Sequence, residues 1–181
     1  MSTTSPLLLC EHRLRVEPPM SESHMVMFMA QAYTIANRSY AKDLKVGALL
    51  VELQGKMHRE LASGYNGTEA GEDNCCEYPD GESKPNVLHA ERNLFRKLLR
   101  SKESGVGATL FVTRSPCSVC IELIIDAGVT NVVYCEEHRD PVPLIRLKNM
   151  GINLYQVNKD ALIEYFDEVS QRIRQPKFNV Q

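Results

Sequence analysis

Three side chains able to hold one metal ion, His89, Cys117 and Cys120, stand on either side of a stretch that reads as one helix and one strand. Any fold of the chain has to bring them back together. The histidine opens His89-Ala90-Glu91, and the cysteines belong to Pro116-Cys117-Ser118-Val119-Cys120. One imidazole nitrogen and two thiolate sulfurs are the borderline and soft donors that zinc takes, and three protein ligands leave a fourth tetrahedral position for water. Glu91 lies just beyond the histidine, close enough to reach that position without ligating, so it can take a proton from water and pass it on. An isolated Cys-x-x-Cys also fits a redox pair, half of a structural zinc site or two core thiols. With His-Ala-Glu upstream and a strand between two helices that each begin with ligands, the reading becomes a catalytic site. A closed structural zinc and a domain that has lost its activity stand as the alternatives.

The pattern on either side of this pair supports one α/β domain. Residues 1–20 read as an N-terminal extension, 21–175 as the folded domain and 176–181 as a tail. Ser21 can cap a helix in which Met25, Met29, Ala32, Tyr33 and Ala36 recur at helical spacing, and the methionines suit a core better than a cofactor contact. Val46 to Val51 and Met57 to Tyr65, joined at Gln54-Gly55, read as a β-hairpin. A polar loop from Thr68 to Val87 follows and carries the adjacent pair Cys75-Cys76, read as buried thiols under the loop. Leu88 to Arg100 has the apolar spacing of an amphipathic helix, with His89 and Glu91 in its first turn. Thr109 to Thr113 is a strand, Pro116 is placed to open a helix lasting to Ala127, and Gly128 can stop it. Val132 to Cys135 and Ile152 to Val157 are further strands, with helices over Leu144 to Met150 and Asp160 to Ile173. The alternation predicts an α/β fold with a mixed five-stranded sheet and helices on both faces. Both metal motifs then meet helix N-termini, whose positive dipole ends favour the thiolate forms of Cys117 and Cys120.

Composition narrows the chemistry further. A net charge of −2 over 181 residues gives no basic field for a long nucleic acid, so none is expected as a partner. Leu7-Leu8-Leu9-Cys10 is too short for an export signal, nothing basic precedes it, and no stretch approaches membrane-spanning length. Six cysteines in such a chain fit metal ligation and reduced thiols in a reducing, cytoplasmic compartment. Activated water beside a glutamate that can carry its proton to a leaving amine fits hydrolytic deamination of an amidine-like ring carbon.

From Arg38 to Leu154 the chain resembles the bacteriophage and bacterial deoxycytidylate (dCMP) deaminases of the cytidine deaminase superfamily. The resemblance runs in order through Arg38-Ser39, Val46-Gly47-Ala48, Gly64-Tyr65-Asn66-Gly67, Asn74-Cys75-Cys76 and His89-Ala90-Glu91. It continues through Gly107-Ala108-Thr109, Thr113-Arg114-Ser115-Pro116-Cys117, Val133-Tyr134 and Arg139-Asp140-Pro141. It implies a three-layer α/β/α cytidine-deaminase-like fold and conversion of dCMP to dUMP and ammonia, supplying dUMP for thymidylate synthesis. His89, Cys117 and Cys120 would bind the catalytic zinc, with Glu91 as proton shuttle. The backbone at Ala90 would hold the cytosine carbonyl, and the Ser115 carbonyl would meet the departing amine. Asn66 would contact the sugar, while Arg38 and Arg139 would take the 5′-phosphate, as guanidinium forks suit phosphate oxygens. The resemblance also implies a homohexamer, and regulation by dCTP and dTTP, with Mg2+ accompanying the effector, at a loop that here includes Gly67 and Glu69.

Three positions depart from the family pattern. His138 stands where the family often has tyrosine and is read as a substrate contact or a surface histidine. Glu69 replaces a proline in the regulatory loop. Ala41 and Val87 occupy the places of a cysteine and a glutamate that hold a second, structural zinc in some phage relatives. A deaminase of tRNA adenosine or of a 5-modified dCMP, and an inactive zinc or nucleotide-binding module, remain as alternatives to the dCMP reading.

Overall fold

A computed structural model describes residues 17–175. The expected tail at 176–181 and the extension up to residue 16, with its Leu7-Leu8-Leu9-Cys10 run, lie outside the described residues. The chain order is α1 (Glu22–Ala36), β1 (Gly47–Gln54), β2 (Met57–Tyr65), α2 (Ala90–Leu98), β3 (Thr109–Arg114), α3 (Cys120–Asp126), β4 (Asn131–Glu136), α4 (Val142–Asn149), β5 (Asn153–Gln156) and α5 (Lys159–Arg174). The five strands form one sheet in the order β2-β1-β3-β4-β5. β1 runs antiparallel to both β2 and β3, whereas β3, β4 and β5 are parallel, so the sheet is mixed. Among the described residues no helix is long and apolar enough to cross a membrane.

Two apolar layers enclose the sheet. Leu50, Leu110, Val112 and Val132 face one way against Leu94 of α2, Ile121 and Ile124 of α3 and Leu147 of α4. Leu49, Val51, Phe111 and Val133 face the other way against Phe28 and Met29 of α1 and Leu162 of α5. The strict alternation along β3 is what lets one short strand serve both layers.

Element starts follow local chemistry. The Ser21 side chain caps α1 by accepting from the His24 backbone N–H, and Met29 is fully buried. Packing reaches back beyond Ser21, however. Met20 belongs to the α1/α5 core, and the Tyr155 hydroxyl donates to the Glu17 carbonyl at 3.3 Å, so residues 17–20 lie on the domain rather than in the extension. Gly55 turns the hairpin at φ 62°, and Gly128 ends α3 at φ 72°. α3 itself begins at Cys120, later than Pro116 suggests. The Cys117 carbonyl accepts from the N–H of Cys120 at 3.0 Å and of Ile121 at 3.3 Å, so Pro116 to Val119 form a turn ahead of the helix.

Close backbone contact fixes α2 against the sheet. A Cβ at Gly64 of β2 would collide with the Ala90 carbonyl and come within 2.6 Å of the Leu94 nitrogen. The Asn93 side chain adds a bond from Nδ2 to the Tyr65 carbonyl at 2.8 Å. Only glycine allows α2 this near, and the approach sets where its first turn points. Gly64→Ala should therefore lower unfolding free energy by about 3 kcal/mol, the upper part of the overpacking range, as read from the midpoint of denaturant unfolding. An unchanged midpoint would contradict the contact.

Candidate active site

The site is built where the start of α2 meets the turn after β3. Gly67 and Leu88 bond in both directions, N–H to carbonyl, at 3.0 and 2.8 Å, which anchors the chain immediately before His89. His89 is the N-cap of α2 with extended backbone and makes no side-chain cap, so its ring is available to the site. Its Nδ1 lies 3.3 Å from Cys117 Sγ and 3.3 Å from Cys120 Sγ. All three donors lie within 4.8 Å of one another, and they are the cluster of this kind found among the described residues. One nitrogen and two sulfurs at such separations suit a single tetrahedral ion bonded at about 2.0–2.3 Å. The donor set and its geometry therefore fit zinc.

Burial and charge tune these groups. Cys120 is buried, Cys117 is half-buried and His89 keeps an exposed flank. The Cys117 thiol is pushed down to about 3, first by a hydrogen bond from Cys120, with His89 and the backbone N–H groups of Cys120 and Val119 adding to it. Cys120 is pushed up by that same bond and by burial. The hydrogen bond to Cys117 raises His89. Glu91 is 4% exposed and lies against Cys120, and burial pushes its carboxyl above the ordinary range. A buried carboxyl raised in this way holds a proton more readily than an exposed one and can return it.

A cavity of about 370 Å³ opens beside the ligands, and its wall includes His89, Ala90, Glu91, Ser115 and Cys117. Its size falls in the range of about 300–1,000 Å³ usual for small-molecule sites. A larger, more open depression of about 670 Å³ lies over Glu136, Glu137 and Lys159 but contains no part of the metal cluster.

Asn66 and His138 also line the ligand-side cavity. Asn66 Oδ1 accepts from the Val46 N–H and Nδ2 donates to the Leu44 carbonyl, both at 2.8 Å, which leaves one amide hydrogen uncommitted. The His138 backbone N–H donates to Ser115 Oγ at 2.7 Å, and its ring Nδ1 accepts from the Asp140 N–H at 3.1 Å. In the neutral ring the proton then sits on Nε2. The Ala90 N–H heads the first turn of α2, where backbone donors have no intrahelical partner.

Other residues singled out in the sequence fall elsewhere. Arg38 is exposed, with its guanidinium 5.6 Å from the centre of the Tyr65 ring, and Arg139 is exposed. Neither lines the cavity. Glu69 makes a two-pronged pair with Arg96 of α2 at 2.9 and 3.1 Å. The cysteine pair divides: Cys76 is buried but Cys75 is exposed, because adjacent residues in an extended loop point to opposite sides. Sequence reasoning passed over two cations in the cavity wall, Lys84 and Arg114. The signal for Arg114 was a charge at the end of an otherwise apolar strand.

Comparison with known proteins accords with this geometry. A family model described as the cytidine and deoxycytidylate deaminase zinc-binding region matches residues 22–136. The chain is 36% identical over 124 residues to the deoxycytidylate deaminase of Mycobacterium phage D29, spanning 61% of this chain and 92% of that protein. It is 35% identical over 145 residues to ComE operon protein 2 of Bacillus subtilis, spanning 75% of this chain and 72% of that protein. Among solved structures it is similar to the dCMP deaminase of cyanophage S-TIM5 in complex with dCMP and dUMP. That likeness has TM-score 0.71 and 38% identity, and covers 76% of this chain and 98% of the other.

If these three donors hold the metal, Cys120→Ala should purify with less than about a tenth of the zinc of the wild type, since loss of a thiolate donor removes a principal source of affinity. Cys75→Ala should keep one zinc per chain. Elemental analysis of the purified proteins decides this, and full zinc content in Cys120→Ala would contradict the ligand assignment.

Proposed function

Because the chain belongs to the cytidine and deoxycytidylate deaminase family, we propose that it is a zinc-dependent hydrolase converting dCMP to dUMP and ammonia, and so supplying dUMP for thymidylate synthesis. The observation that carries the substrate is the likeness to the cyanophage enzyme, whose structure holds dCMP and dUMP. The buried Glu91 beside the His89, Cys117 and Cys120 cluster carries the chemistry.

His89, Cys117 and Cys120 would hold the zinc, which when bound would supply the Lewis acidity that makes water a nucleophile near neutral pH. Glu91 takes a proton from this water and passes it to ring N3 as the oxygen adds to C4, then carries the proton of the resulting C4 hydroxyl to the exocyclic nitrogen, so that the C4–N bond breaks, the C4=O bond forms and ammonia leaves. Its burial serves the delivery step, because a carboxyl with a raised proton affinity retains the proton until the amine needs it. The Ala90 N–H donates to the cytosine carbonyl, and the Ser115 carbonyl accepts from the departing amine. Ser115 is held for this task by the bond from its own N–H to the Glu136 carbonyl and by the bond from the His138 N–H to its Oγ, both at 2.7 Å. Asn66, fixed by its two bonds to the 44–46 segment, offers its remaining amide hydrogen to the deoxyribose. His138 offers Nε2 to the nucleotide from the cavity wall. The family resemblance alone supports a homohexamer, and regulation by dCTP and dTTP with Mg2+ near Gly67 and Glu69.

Glu91→Gln keeps the shape of the side chain and removes the proton carrier. It should retain zinc and thermal stability while kcat for dCMP falls by about 10⁴-fold, the upper end of the range for one acid–base group. Steady-state ammonia release checks this, and turnover within tenfold of the wild type would sink the assigned mechanism.

A further inference from the structure

The cavity beside the metal ligands contains two cations that the reaction as described does not use. Arg114 is the last residue of β3, and by strand alternation from Leu110 and Val112 its side chain falls on the sheet face that carries α2 and α3. It is half-buried in the cavity wall, and its Nε is buried without a hydrogen-bond partner. It takes part in none of the ion pairs among the described residues. A guanidinium nitrogen withdrawn from water without an acceptor is destabilising, and an anionic ligand in the cavity would supply the acceptors. Lys84 enters the same cavity from the loop leading to His89, and its carboxylate neighbour, Asp73, stands off at 3.8 Å.

Resting on the reading of the substrate as a deoxynucleoside monophosphate, we propose that Arg114 and Lys84 together receive the substrate's phosphate. The Arg114 fork can grip two phosphate oxygens while Lys84 adds a second positive charge, so the pair matches a phosphomonoester dianion. An uncharged nucleoside leaves Arg114 Nε without an acceptor and Lys84 with only its 3.8 Å contact to Asp73, which makes the pair the element that selects nucleotide over nucleoside. Arg38, over the Tyr65 ring, and Arg139, exposed, do not line the cavity and are the competing assignment.

Steady-state kinetics with dCMP and calorimetric binding of dUMP, on zinc-loaded wild type, R114Q, R114K and K84Q, test the proposal. R114Q and K84Q should each raise KM for dCMP and the Kd of dUMP by about 10- to 100-fold, the strength of a hydrogen bond to a charged group, with kcat changed less than about threefold. R114K should recover part of that loss because the charge returns without the fork. Zinc content and thermal midpoint should match wild type. A fall in kcat with KM and dUMP affinity unchanged would overturn the proposal and make Arg114 a contact of the base or of the fold. An equivalent KM increase in R38Q or R139Q, absent from R114Q, would overturn it in favour of those arginines. A wild-type enzyme inert toward dCMP would instead sink the substrate reading. Binding of other nucleoside monophosphates against their nucleosides, in wild type and R114Q, would then decide the phosphate assignment.

Discussion

One nitrogen and two sulfurs held within 4.8 Å of one another are the constraint on which the rest of the structure depends. The two thiols bear on each other, with Cys117 pushed down and Cys120 pushed up. A zinc ion held by His89, Cys117 and Cys120 would take both as thiolates. For the donors to meet at all, the start of α2 and the turn after β3 must converge. The mixed sheet achieves this by placing β1 between β2 and β3 and by letting Gly64 bring α2 down onto β2.

The same convergence divides labour inside the cavity. Glu91, Ala90 and Ser115, on the two converging segments, line the cavity beside the metal-ligand cluster, and on the proposed reading they serve bond making and proton transfer, a chemistry common to deaminases of many bases. The same cavity is lined from further segments by Asn66 after β2, Lys84 in the long loop and His138 after β4, with Arg114 at the end of β3. On the proposed reading, reaction type rests on the metal motifs, whereas substrate preference draws on residues from several further stretches of chain that the fold brings to the same cavity.

Much of this was legible in the sequence because it is local. The hairpin at Gln54-Gly55, the Ser21 cap, the helix after His89 and the strands at Thr109 and Val132 all announce themselves through periodicity or capping chemistry, and the metal ligands through spacing. What escaped was long-range or directional. Pro116 suggested a helix start, but the bonds from the N–H groups of Cys120 and Ile121 to the Cys117 carbonyl place a turn there first. Which cations face the cavity depends on the path of the loop before His89 and on side-chain direction at a strand end. Arg38 and Arg139 stood out by resemblance, whereas Lys84 and Arg114 stand in the wall. Glu69 likewise shows its pairing with Arg96 only once the loop is folded onto α2.

The central claim is that a zinc site with a buried glutamate acts here on a deoxycytidine monophosphate. The most direct measurement is ammonia release by the zinc-loaded protein from dCMP, CMP, deoxycytidine, dCTP and 5-substituted dCMP, with products identified by chromatography. The account predicts that dCMP gives dUMP with the highest kcat/KM of the panel, with deoxycytidine at least about 100-fold poorer, as expected when a buried charged contact goes unmade. Equal kcat/KM for deoxycytidine and dCMP, or no ammonia from any member of the panel, would contradict it.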